Sequence, residues 1–140
     1  MPELASSKND RRLSIIIIED ETALLQPLRR MLAERHDVLT FSDSRDGMRS
    51  LIEREAPDVI ICDINMPGVN GLDLYREVVK RKPFLAGRFI FLTGGDSDEL
   101  ATLMAEAPQR ILEKPVHRKD LLAAIDAIAS RDCEESAKSS

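Results

Sequence analysis

Short apolar runs alternate with amphipathic stretches along this chain. In the amphipathic stretches, apolar residues recur every three or four positions, which is typical of helices with one buried face. Apolar runs that alternate with helices in this way predict a parallel sheet covered by helices on both faces. The predicted strands are Leu13–Ile18, Asp37–Phe41, Val59–Cys62, Arg88–Leu92 and Arg110–Glu113. The first, third and fourth are almost wholly aliphatic or aromatic, so we expect them to be central.

Three of the predicted strands end in charged residues. Glu19 and Asp20 follow the first strand, Asp63 follows the third, and Lys114 follows the fifth. Placing a carboxylate beside a buried strand costs free energy unless an opposite charge pairs with it. Since the carboxyl ends of parallel strands share one edge of the sheet, we expect these four side chains to converge on one site.

Three acidic groups at one edge repel one another unless a cation holds them. Carboxylates with open water positions suit Mg²⁺, which commonly takes one or two carboxylates and keeps several waters. We therefore predict Asp20 and Asp63 as direct ligands, Glu19 as a ligand through water, and the backbone carbonyl of Asn65 as a further ligand.

The same residues predict phosphoryl chemistry. A carboxylate beside Mg²⁺ can attack phosphorus, because the metal and a lysine neutralise charge on the transferring group. Asp63 is the predicted nucleophile, Lys114 the cation and Thr93 a hydroxyl donor, with Gly94 and Gly95 leaving open space. Taken singly, these residues have ordinary explanations: acidic groups at a helix start, a turn threonine and a surface lysine.

Length and charge narrow the class of protein. The 140 residues suit one folded domain, predicted over 13–130, with flexible tails at 1–12 and 131–140, so we expect any output module on another chain. The net charge is −5 and no basic stripe is present, which argues against direct nucleic-acid binding. Without a membrane-spanning run or a signal peptide, the expected location is cytoplasmic.

The cysteines and histidines predict no further site. Cys62 lies in a predicted buried strand and Cys133 in a polar tail, so a disulfide between them is not expected and a reducing compartment fits. Neither cysteine has metal-ligand spacing, and His36 and His117 stand alone, which argues against zinc.

From about Leu13 to Ala129, the chain resembles the receiver domain of two-component response regulators. The string over residues 63–68 matches the family's phosphoacceptor motif. The other matching positions are the acidic pair Glu19 and Asp20, Gly71 at the third helix, Thr93 as the hydroxyl residue, and Lys114 with Pro115.

The resemblance implies a flavodoxin-like (βα)5 fold, a doubly wound parallel sheet in the order 2-1-3-4-5. It implies Mg²⁺-dependent transfer from the phosphohistidine of a histidine kinase, or of a histidine phosphotransfer protein, to Asp63, with slow self-dephosphorylation. Such a domain is a signalling phosphoacceptor and not an enzyme. The Lys114–Pro115 bond is expected to be cis. The stretches around Thr93 and Lys114 resemble receivers of hybrid histidine kinases, so the output is either a partner protein or a fused kinase.

Two positions depart from the family pattern. Glu19 replaces the more usual aspartate, which lengthens its reach. Ile111 occupies the position where many receivers carry a Tyr or Phe that turns inward when the threonine meets the phosphoryl group. We therefore expect the output surface of the fourth helix, fifth strand and fifth helix to signal differently or to signal little.

Three other functions are compatible with a sheet of this class. One is a degenerate receiver that acts only as a docking module. Another is a Mg²⁺-dependent aspartate-nucleophile phosphatase, although that pattern needs a nucleophile after the first strand and a second aspartate two residues on, which Glu19, Asp20 and Glu21 do not supply. The last is a flavin-binding protein of the doubly wound class.

Overall fold

A computed structural model describes residues 11–95, 97–106 and 110–139, with side chains up to residue 130. The strands are β1 (Ser14–Ile18), β2 (Asp37–Phe41), β3 (Val59–Asp63), β4 (Phe89–Thr93) and β5 (Ile111–Glu113). The helices are α1 (Thr22–Ala33), α2 (Ser44–Glu53), α3 (Gly71–Arg81), α4 (Asp98–Glu106) and α5 (Arg118–Ser139), with a short 3-10 helix over Pro83–Arg88.

The five strands form one parallel sheet in the order β2-β1-β3-β4-β5. This confirms the predicted flavodoxin-like order, and the three most apolar strands, β1, β3 and β4, are central as expected. All five residues of β3 and all five of β4 are buried. Strands covered on both faces have no solvent side, so their sequences show continuous apolar runs rather than alternation.

Alternate residues of β1 point into two separate cores. Ile16 and Ile18 pack with residues of α2, α3 and α4, whereas Ile15 and Ile17 pack with residues of α1 and α5. The first core contains an aromatic group in which Tyr75 meets the Phe89 and Phe91 rings edge to face, at centroid distances of 5.1 and 5.5 Å. The two packed faces fix the strand register, and with it the sheet edge where the strands end.

The elements differ from the predictions mainly at their ends. β3 includes Asp63 and β4 includes Thr93, so both residues belong to strands rather than following them. The 3-10 helix before β4 was not predicted. In the sequence, Pro108 predicts the end of the fourth helix. The helix ends at Glu106, and Pro108 lies outside the described residues.

Over 131–139, within the segment predicted as a flexible C-terminal tail, the backbone continues α5 to Ser139, and the flexibility of this segment stays a prediction. No Gly or Pro interrupts this segment, so nothing local stops the helix. Residues 1–10 of the predicted N-terminal tail lie outside the described part of the chain. The Lys114–Pro115 peptide bond is cis, as predicted. Among the described residues, no helix is both long enough and apolar enough to cross a membrane.

Candidate functional site

Three carboxylates meet at the carboxyl edge of the sheet. Glu19 and Asp20 follow β1, and Asp63 ends β3, the strand that pairs with β1. One oxygen from each of the three lies within 4.8 Å of the others. Glu19 and Asp63 are almost completely buried, whereas Asp20 is partly exposed. The predicted acidic cluster is therefore present in the structure.

Lys114 supplies the cation that this cluster needs. Its Nζ lies 3.0 Å from Asp63 Oδ2, 3.2 Å from Glu19 Oε1 and 2.9 Å from Glu21 Oε1. Burial works against its charged form, but hydrogen bonds to Glu21 and Asp63 and the charges of Asp63 and Glu19 outweigh burial and raise the pKa of Lys114. Lys114 therefore remains an ammonium throughout the physiological range.

Glu19 has the most perturbed acidic group in the cluster. Burial, together with the charge and a hydrogen bond of Asp63, raises the pKa of Glu19 from 4.5 to about 7, against the opposing effects of the Glu21 amide and of Lys114. Its Oε2 accepts a hydrogen bond from Glu21 N at 3.1 Å. Its Oε1 is buried and accepts no hydrogen bond, although Lys114 lies nearby. A second cation would satisfy that oxygen.

The loop after β3, residues 64–70, is held close to Asp63. The Asn65 backbone amide donates to Asp63 Oδ1 at 3.3 Å, and the Gly71 amide donates to the Ile64 carbonyl at 2.7 Å. A side chain at position 71 would place its Cβ only 2.6 Å from the Asp63 carbonyl oxygen. Glycine is therefore required where α3 begins against the end of β3.

Thr93 lies at the same edge, at the end of β4, but its hydroxyl is already engaged. Thr93 Oγ1 donates to the Gly95 carbonyl at 2.7 Å and accepts from the Gly95 amide at 3.3 Å. The predicted role as a donor to a phosphoryl group thus requires this hydroxyl to leave the Gly95 carbonyl. A side chain at Gly95 would meet nothing within 4 Å, which agrees with the predicted open space.

The structure brings together Glu19, Asp20, Asp63 and Lys114, and it adds one residue that the sequence reasoning missed. Glu21, largely exposed, pairs with Lys114 from the start of α1. In the sequence, Glu21 and its acidic neighbours indicate only the start of a helix. No local pattern shows that Glu21 faces Lys114, which is 93 positions away. Cys62, next to Asp63, is fully buried, and burial raises the pKa of its thiol, so it remains protonated.

The donor set fits a hard divalent cation. It consists of carboxylate oxygens, one of them buried without a hydrogen bond, at an edge where Asp20 is open to solvent. Oxygen donors with open positions for water are what Mg²⁺ prefers. Glu19, Asp20, Asp63 and the Asn65 carbonyl are the groups that would hold it.

Comparison with protein families gives one match over most of the chain. The family model described as the response regulator receiver domain matches residues 15–126. PilH of Pseudomonas aeruginosa is 32% identical over 116 residues, which are 81% of this chain and 95% of PilH. Longer relatives match over a part of their length: the alignment covers 20% of the hydrogenase transcriptional regulatory protein HoxA of Cupriavidus necator and 52% of the transcriptional regulatory protein DegU of Brevibacillus brevis.

Solved structures agree in fold. A response regulator receiver domain protein from Clostridium thermocellum superposes with a TM-score of 0.75 and 38% identity, covering 84% of this chain and 94% of that one. A CheY-like receiver domain protein from Methanospirillum hungatei gives a TM-score of 0.77 and 27% identity, covering 89% and 98%.

Proposed function

Because the chain belongs to the response regulator receiver family, we propose that it accepts a phosphoryl group on Asp63 in a Mg²⁺-dependent reaction. The donor is the phosphohistidine of a histidine kinase or of a histidine phosphotransfer protein. The observation that carries the proposal is the ion pair between Lys114 and the buried Asp63, beside two further carboxylates with a donor set for a divalent cation.

In the transfer, a carboxylate oxygen of Asp63 forms a bond to phosphorus while the bond from phosphorus to the donor nitrogen breaks. Lys114 is released from Asp63 Oδ2 when it turns to the phosphoryl oxygens, and its flexible stem allows this movement. Thr93 exchanges the Gly95 carbonyl for a phosphoryl oxygen. Bound Mg²⁺ supplies positive charge against the charge on the transferring group.

The product is an acyl phosphate on the protein itself, so the chain acts as a signalling phosphoacceptor and turns over no separate substrate. It works in the cytoplasm with its kinase, and it shifts the population of conformations that an output partner or a fused kinase recognises. Ile111 lies on the edge strand β5 and pairs with Phe91 of β4. It occupies the position of the Tyr or Phe that acts as a switch in many receivers. The output surface therefore responds without that ring, through the release of Gly95 by Thr93.

Intact mass after incubation with acetyl phosphate and Mg²⁺ tests this function. We expect one phosphoryl adduct, absent with EDTA and absent in Asp63→Asn. Asp73→Asn is the matched control, because Asp73 is an exposed aspartate on α3 that does not belong to the clustered carboxylates, so this variant should be labelled normally. Full labelling of Asp63→Asn would overturn the assignment. No labelling of the wild type, even by a phosphohistidine donor, would favour a docking module.

A further inference from the structure

The hydroxyl of Ser44 spans the tightest part of the β3–α3 loop. Ser44 Oγ donates to the Pro67 carbonyl at 3.1 Å and accepts from the Val69 amide at 3.1 Å. The residue between them, Gly68, has a φ of +85°, the left-handed conformation of a tight turn. Ser44 is only 3% exposed, so water has little access to replace its hydroxyl. One side chain of α2 thus closes both sides of this turn.

The turn is part of the loop that carries proposed metal-site groups. The start of the loop is fixed by Ile64, whose amide donates to the Leu92 carbonyl at 2.9 Å, and the end of the loop is fixed by Gly71. Between these anchors lies Asn65, whose carbonyl is a proposed ligand and whose amide contacts Asp63. The hydroxyl of Ser44 ties the middle of the loop to α2 by hydrogen bonds, beside the packing of Met66 and Val69 against the core.

We propose that Ser44 is a positioning residue for cation binding, a role that rests on the proposed function. By holding the Pro67–Val69 turn, it keeps the Asn65 carbonyl in place before the ion arrives. A ligand ordered in advance loses less conformational entropy on binding. Groups that orient metal ligands typically contribute a factor of about 10 to 100 in affinity. Since Ser44 acts one step further out, we expect Ser44→Ala to weaken cation binding about fivefold.

Asp43 provides a matched control at the adjacent position. Its side chain caps α2 by accepting from the Arg45 and Asp46 amides at 2.9 and 3.2 Å, and these contacts stay within α2. Asp43→Ala should therefore lower the stability of α2 without changing the loop. Ser44→Thr keeps a hydroxyl at position 44 and should restore binding.

The test is a titration of the folded proteins with Mn²⁺, followed by the loss of the free-ion electron paramagnetic resonance signal, together with amide hydrogen exchange at Val69. Ser44→Ala should bind Mn²⁺ about fivefold more weakly and lose protection at Val69, whereas Asp43→Ala should retain both. Unchanged Mn²⁺ affinity in Ser44→Ala, or an equal loss in Asp43→Ala, would overturn the inference. If Ser44→Thr does not fold, the comparison of Ser44→Ala with Asp43→Ala is sufficient to test the role of Ser44.

Failure of the inference is separable from failure of the proposed function. Wild-type protein that is labelled on Asp63 while Ser44→Ala binds Mn²⁺ normally would retain the function and remove the role of Ser44. Wild-type protein that binds no Mn²⁺ would instead overturn the proposed function, and the positioning role with it.

Discussion

At the scale of single residues, the site is a balance between buried acids and one lysine. Lys114 contacts three carboxylates, two of them buried, but burial of Glu19 and the charge of Asp63 outweigh Lys114 and raise the pKa of Glu19 to about 7. Such a cluster is costly in the absence of another cation, since removing charge from water is repaid only by good partners. A divalent cation, bound as we propose, would supply the missing positive charge.

The raised pKa of Glu19 predicts how stability depends on pH when no divalent cation is present. Folded Glu19 binds a proton up to about pH 7, whereas the unfolded group releases it near 4.5, so stability falls as pH rises through this interval. The loss attributable to Glu19 is on the order of 2 to 3 kcal/mol. Urea unfolding in EDTA at pH 5 and pH 7.5 measures it.

Glu19→Gln removes this titration and should be the more stable protein at pH 7.5, with the advantage vanishing near pH 5. The difference between the two proteins separates the effect of Glu19 from that of His36. Burial lowers the pKa of His36, so the titration of His36 raises stability as pH rises, which is the opposite sign. A constant difference across the range would show that Glu19 carries no raised pKa.

At the scale of elements, the site depends on how closely α3 begins against β3. The predicted helices and strands account for most of the fold, because burial of the strands on both faces is visible as continuous apolar sequence. The α3 start was recognisable only through Gly71 in the family pattern. The hydrogen bonds of Ser44 were not predictable, since they join residues 23 and 25 positions apart that share no periodic pattern.

Gly71→Ala should disrupt this junction more than an equally crowded glycine elsewhere. Its new Cβ would lie 2.6 Å from the Asp63 carbonyl oxygen and 2.8 Å from Ile64 Cα, and backbone cannot move aside cheaply. We expect a loss of about 3 kcal/mol, at the upper end for overpacking, together with weaker Mn²⁺ binding.

Gly47→Ala is the control, because its Cβ would meet side-chain atoms of the buried Ile18, at 2.8 Å from Cδ1, rather than backbone atoms. We expect it to cost about 1 kcal/mol and to leave Mn²⁺ binding unchanged. Urea unfolding and Mn²⁺ titration of both variants provide the comparison. Equal losses of stability, or weaker metal binding in Gly47→Ala, would contradict this account of the junction.

At the scale of the whole molecule, one parallel sheet with a core on each face delivers four charged residues from three strand ends to a single edge. That convergence was predictable from sequence, because the carboxyl ends of parallel strands necessarily share an edge. The hydrogen-bond and ion-pair partners of each side chain at that edge were not predictable. The Thr93 hydroxyl donates to the Gly95 carbonyl, and Glu21 forms an ion pair with Lys114. Neither contact follows from a periodic pattern in the sequence.

The most direct test of the central claim is to locate the phosphoryl group. After incubation with acetyl phosphate and Mg²⁺, borohydride reduction converts an acyl phosphate to an alcohol, and peptide mapping then finds the altered residue. The account predicts homoserine at position 63 alone, dependent on Mg²⁺. Homoserine at position 20 or at another aspartate would contradict it, as would the alcohol of a reduced glutamate. No altered residue in protein that carries the phosphoryl mass would contradict it too.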